Sequence, residues 1–119
     1  MISYNGFDTK YITMEGLYDD PKRLKIGDFV KVTDEGTVDL ADPNKPFFGM
    51  VVGNNDNYYT VQVSGYAEID FAGAGLPMYA RLIVNKRGTL QNSTSTTYDA
   101  PLRKVIWVDK NENRAGVIL

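Results

Sequence analysis

Tyr58-Tyr-Thr-Val-Gln-Val-Ser-Gly-Tyr-Ala-Glu-Ile-Asp-Phe71 alternates with period two over fourteen residues. Its odd positions hold Tyr59, Val61, Val63, Gly65, Ala67, Ile69 and Phe71. Its even positions hold Tyr58, Thr60, Gln62, Ser64, Tyr66, Glu68 and Asp70. Successive side chains of an extended chain point to opposite faces, so this stretch predicts a strand with one buried and one wet face. Fourteen residues is long for one strand. Gly65 has no side chain to pack, and it marks where such a strand bends from one sheet into the next or carries a bulge.

Working outward, turn signals separate further extended segments. Phe29 to Thr33 and Thr37 to Leu40 flank Asp34-Glu35-Gly36, whose glycine suits a positive φ, and predict a hairpin. Phe47 to Val52 is nearly all apolar and predicts a strand covered on both faces, set between the turn-rich segments 41–46 and 53–57. Arg81 to Val84 and Thr89 to Gln91 flank Lys86-Arg87-Gly88. Leu102 to Asp109 and Ala115 to Leu119 flank the turn at 110–113 and predict the last hairpin. About seven or eight mostly antiparallel strands with no helical period predict an all-β fold, a single small barrel or sandwich. Residues 26–119 form that domain. Residues 1–25 carry Tyr4, Phe7, Tyr11, Ile12, Leu17 and Tyr18 without a clean period, and predict an irregular N-terminal arm. The residues leave open whether the arm packs on its own barrel or docks on a neighbour. Residues 91–101, with their run of serine and threonine, predict a polar surface loop.

Composition removes whole classes of chemistry. The 119 residues include no histidine and no cysteine. The commonest general base, a thiolate nucleophile, a disulfide staple and a thiolate zinc site are therefore all absent. No Ser-His-Asp or Cys-His arrangement is possible. Thirteen basic and fifteen acidic side chains leave a net charge of −2. Residues 1–60 carry −4 and residues 61–119 carry +2, which is no basic face for nucleic acid. Lys22, Arg23 and Lys25 sit beside Asp19 and Asp20 and are expected to be partly neutralised by them. The N-terminus lacks signal-peptide character and no apolar run reaches membrane length, so no membrane partner is expected.

Individual motifs fail on inspection. Asp109-Lys-Asn111-Glu-Asn113 imitates the opening of a calcium loop, yet its sixth position is Arg114 rather than glycine, and its twelfth would fall beyond Leu119. A hairpin turn remains. Asn92-Ser93-Thr94 matches a glycosylation acceptor in a chain with no mark of secretion. Gly73-Ala-Gly75 lacks the spacing, lysine and hydroxyl of a phosphate loop. Glu68 and Asp70 share a polar strand face, where a solvated or ion-paired role outweighs acid–base catalysis. No cofactor and no metal is expected, and the chain reads as a non-enzyme. Alternation turns Tyr58 and Tyr66 outward, in keeping with either a protein interface or a sugar-stacking platform.

Five segments together carry a family resemblance: Ser3-Tyr-Asn-Gly-Phe-Asp8, Gly27-Asp28-Phe-Val-Lys31, Pro46-Phe-Phe-Gly49, Val61-Gln-Val-Ser-Gly-Tyr66 and Ala115-Gly-Val-Ile-Leu119. They resemble the small all-β capsid decoration, or auxiliary head, proteins of tailed bacteriophages. The resemblance implies a non-enzymatic virion protein assembled in the host cytoplasm onto the capsid surface. Its partners would be the major capsid protein and further copies of itself, as a trimer. It also implies an N-terminal arm that orders on the shell, with Tyr4, Phe7, Tyr11 and Ile12 as contacts beside the outward Tyr58 and Tyr66. Two other functions fit a chain of this kind: a carbohydrate- or receptor-binding module of a phage fibre, or a small-barrel connector or tail-completion protein.

Overall fold

At Gly65 the chain turns with φ of +92°, dividing the long alternating stretch into strands β5 (Tyr58–Ser64) and β6 (Tyr66–Asp70) of two different sheets. The computed structural model describes residues 9–20, 22–93 and 100–119. Before Gly65 come β1 (Lys10–Glu15), β2 (Phe29–Val32), β3 (Val38–Leu40) and β4 (Gly49–Asn55). After β6 come β7 (Tyr79–Val84), β8 (Leu90–Asn92), β9 (Leu102–Asp109) and β10 (Arg114–Ile118). The fold is all-β, with two five-stranded antiparallel sheets. Ten strands replace the expected seven or eight for two reasons: the long strand is two, and Lys10–Glu15 pairs with β5.

That pairing lies inside the stretch read as an irregular arm. Its periodicity is weak because Tyr11 and Ile12 are both exposed and only Met14 turns onto the core. The two expected hairpins are present, the segments flanking Lys86-Arg87-Gly88 pair as a third, and Gly36 takes the positive φ its turn requires. Tyr4 and Phe7, and most of the serine–threonine loop, lie outside the described residues.

The two sheets repeat one plan. The first runs β1-β5-β4-β2-β3 and the second β6-β10-β9-β7-β8, which is the same order moved on by five strands. Each is closed on itself by one parallel bridge, Gly16↔Val38 in the first and Phe71↔Leu90 in the second. The Leu17 N–H donates to the Val38 carbonyl, and the Ala72 N–H donates to the Leu90 carbonyl. Each sheet is therefore a small barrel. In the β2–β3 and β7–β8 hairpins the register agrees residue by residue: Val30↔Leu40, Lys31↔Asp39 and Val32↔Val38 match Leu82↔Asn92, Ile83↔Gln91 and Val84↔Leu90, always 52 positions on. Both barrels carry a bulge at one matched place, with Val52 the extra residue of β4 and Ile106 that of β9. In sequence the duplication survives best at the hairpins, as Val32-Thr-Asp-Glu-Gly-Thr-Val38 against Val84-Asn-Lys-Arg-Gly-Thr-Leu90.

The cores match too. Val30, Val38, Val51, Tyr59 and Val61 fill the first barrel, and their counterparts Leu82, Leu90, Val105, Ala115 and Val117 fill the second. Large and small residues trade places. Gly16 lies where a Cβ would fall 2.9 Å from the Tyr59 ring. In the second barrel the corresponding pair is Phe71 and Ala115. The second core also takes in Phe29 and Phe47 of the first barrel, whose rings sit 4.8 Å apart, and these join the two halves.

Gly65 is the pivot between them. A Cβ there would lie 2.6 Å from the Thr9 backbone, and the φ is one that side-chain-bearing residues seldom adopt. Gly65→Ala is expected to destabilise the protein by about 1–3 kcal/mol, read from chemical denaturation. An unchanged midpoint would show that the crossover relaxes without cost.

Candidate interaction surface

Strand β1 is an edge. Residues Lys10–Glu15 pair with β5 on one side; on the other, the only described bridge is at Gly16, just past the strand. The backbone groups along that free side form a template for a further strand. Tyr11 (55% exposed) and Ile12 stand on this strand, and Tyr58 (54% exposed) stands on neighbouring β5. Tyr11 faces Gln62, and Tyr58 faces Glu15. The two tyrosines thus share the outer face but lie four residues apart along it, roughly 13 Å.

Tyr66 belongs elsewhere. It is half-buried on the second sheet, and its hydroxyl accepts a 2.7 Å hydrogen bond from Trp107 Nε1. Gly116 lies beneath both, where any Cβ would strike the Trp107 ring nitrogen and the Tyr66 hydroxyl. Of the sequence candidates, the structure brings Tyr11 and Tyr58 onto the outer face of β1 and β5, places Ile12 opposite the core residue Val61 on the other face of β1, and holds Tyr66 apart. Alternation on β6 put Tyr66 outward but carried no information about Trp107, forty-one residues away.

A second surface runs between the barrels. A groove of about 570 Å³ is lined by Arg23, Lys25, Asp28, Asp39 and Asp42 of the first barrel and by Lys86 and Arg87 of the β7–β8 turn. Residues 44 and 45 cross this junction. The Asn44 N–H donates to the Val84 carbonyl, and the Val84 N–H donates to the Lys45 carbonyl. Within the first barrel, Arg23 reaches Asp39 through Nε at 2.6 Å and Nη2 at 3.2 Å. Its guanidinium also lies over the Tyr18 ring at 4.4 Å. The basic cluster at 22–25 is thus answered across the barrel by Asp39 as well as by its sequence neighbours. Lys31 pairs with Asp42 at 2.9 Å.

Electrostatics separate two of these groups. Burial works to raise the Asp39 pKa, but the Arg23 hydrogen bond, the Leu40 N–H and the charges of Arg23 and Lys31 outweigh it. The carboxyl is held below its ordinary value of 3.8. Burial alone lowers the pKa of Arg103, whose guanidinium lies 4.8 Å over the Phe47 ring and whose buried Nε has no hydrogen-bond partner among the described residues. The carboxylates singled out in sequence take ordinary roles. Asp70 pairs with Arg114 across β6 and β10 at 3.1 Å, and Glu68 is exposed. Asp109 accepts the Asn111 and Glu112 N–H groups to shape the last hairpin turn.

Comparison with protein-family models, with curated proteins and with solved structures yields no match to this chain.

Because the folded Asp39 titrates below its unfolded value, its contribution is complete above about pH 5 and is lost as pH falls through the folded pKa. Asp39→Asn is therefore expected to lower Tm by roughly 5 °C at pH 7. The loss should be smaller at pH 3. Equal losses at both pH values would show that the pair contributes nothing pH-dependent.

Proposed function

We propose that this chain is a non-enzymatic capsid decoration protein of a tailed bacteriophage, gripping the outer shell through β1 and the residues before it. The observation that carries this reading is the free side of β1 with Tyr11 and Ile12 exposed on it. A capsid segment added there gains main-chain hydrogen bonds along the edge, while the two side chains supply apolar contact. Such docking requires little side-chain signature, in keeping with motifs made of turns and strands rather than of chemistry. Two closed barrels sharing a core suit a part whose work is to stay folded under mechanical load. The family resemblance adds the virion location and the major capsid protein as partner. The fibre-module alternative, which uses outward tyrosines as stacking platforms, draws less support, since Tyr66 is half-buried and its hydroxyl is tied to Trp107.

Purified protein mixed with expanded capsids assembled without it is expected to co-sediment with them and to raise their disruption temperature. Tyr11→Ala with Ile12→Asp should weaken binding by about tenfold or more, a loss on the order of 1.4 kcal/mol. Removal of residues 1–8, which leaves every described strand intact, should weaken it further. No co-sedimentation by the unaltered protein would discard the capsid reading. Normal binding by the β1 variant would move the contact off this edge.

A further inference from the structure

The duplication makes the contact between the barrels informative beyond this one chain. Inside the chain, one face of the first barrel, around Phe29, residues 44–45 and Met50, covers a different face of the second, around Val84 and the β7–β8 turn. Each barrel has its own version of both faces. Two are therefore left over: the Val32 face of the first barrel and the Leu102 face of the second.

Matched positions differ in burial for this reason. Val84 is 4% exposed, and its outward N–H and C=O are capped by Lys45 and Asn44. Its counterpart Val32 is 40% exposed. The β2–β4 pairing ends at Val30↔Gly49, and no described residue caps Val32 on that side. Met50, paired with Phe29, packs against the shared core, whereas Leu102, paired with Arg81 at the position that matches Phe29, is 56% exposed. Both leftover faces thus show an exposed apolar residue where the internal junction has a covered one.

Charge is exchanged in the same sense. In the chain, the basic turn Lys86-Arg87 lines the same groove as Asp28 and Asp39, which share it with Arg23 and Lys25. The matching turn of the first barrel is Asp34-Glu35. In the second barrel the counterparts of Asp28 and Asp39 are the uncharged Ala80 and Gln91, and Phe29 is replaced by the exposed Arg81. Residues 10–64 carry −3 and residues 66–119 carry +2. An acidic turn set against the exposed Arg81 would place opposite charges at the new contact, with the turn's sign reversed relative to the internal junction.

We infer that the occupant of these faces is a second copy of this chain, bound head to tail. The Val32 face and Asp34-Glu35 turn of one copy seat on the Leu102–Arg81 face of the next. The junction between chains then imitates the junction within each chain. Such a heterologous contact uses different patches on the two partners and generates a ring when its rotation closes. This specifies the surfaces behind the self-association expected of a decoration protein. It rests on the duplication, and its test involves no capsid.

Sedimentation velocity of the full chain, from micromolar to near-millimolar concentration, is expected to show a species larger than one chain. Val32→Lys and Leu102→Lys alter exposed positions on opposite faces, and each alone should run as a monomer. Mixed in equal amounts, they retain one intact face apiece and should give a species of two chains that grows no further. Glu35→Arg and Arg81→Glu should each weaken association by about tenfold, and together in one chain they should restore it. Circular dichroism checks that each variant is folded, and the charge pair decides the matter if Val32→Lys is not. A wild-type chain that stays monomeric throughout overturns the inference. So do single-face variants that still assemble, or a mixture of folded variants that stays monomeric.

Discussion

The crossover at Gly65 is the constraint on which the rest of the molecule depends. A strand that continued straight would extend a single sheet. With φ near +92° and the Thr9 backbone pressed where a side chain would stand, the chain instead leaves one barrel and begins the next. Thr9 lies just before β1, the strand paired with β5, so the start of the first barrel is packed against the hinge to the second. The Leu119 N–H donates to the Gly65 carbonyl, which ties the end of β10 to the same point.

From that crossover follows an unequal division of core. A five-stranded barrel of about fifty residues buries little on its own, and small domains are marginal because surface outgrows volume. The second barrel borrows Phe29 and Phe47 from the first, and residues 44–45 cap Val84. The first barrel receives no equivalent help and compensates with Tyr59, admitted by Gly16 and anchored through its hydroxyl to the Asp20 carbonyl. Duplicated positions accordingly differ: Phe29 is matched by Arg81, and the acidic turn Asp34-Glu35 by the basic turn Lys86-Arg87. The same backbone plan presents different surfaces at its two ends, while β1 keeps a free edge.

Local patterns were legible where local physics governs. Alternation over 58–71, the glycine of the Asp34-Glu35-Gly36 turn and the last hairpin all read directly, because side-chain period and turn geometry are short-range. The duplication was also written in the sequence, at Val32–Val38 against Val84–Leu90, but only three identical residues in seven carry it. Helping to hide it, β1 lost its alternation as Tyr11 and Ile12 became exposed together. Of the surface candidates, Tyr58 is exposed as its alternation implied, and Tyr11 and Ile12 are exposed on β1. Tyr66 is tied to Trp107 through a contact that only sheet pairing creates. The inter-barrel groove had no sequence signal, since the residues that the two barrels contribute to it lie more than forty positions apart.

The sequence by itself determined an all-β chain built without histidine or cysteine, with its strands and turns near their observed places. Hydrophobic period and backbone stereochemistry act within a few residues. Only the tertiary structure decided that there are two barrels rather than one, which strand is left as an edge, and which member of each duplicated pair is buried. Those outcomes depend on what packs against a residue from elsewhere in the chain. Val32 and Val84 are the same amino acid in matching strands, and only their neighbours make one a surface and the other a core.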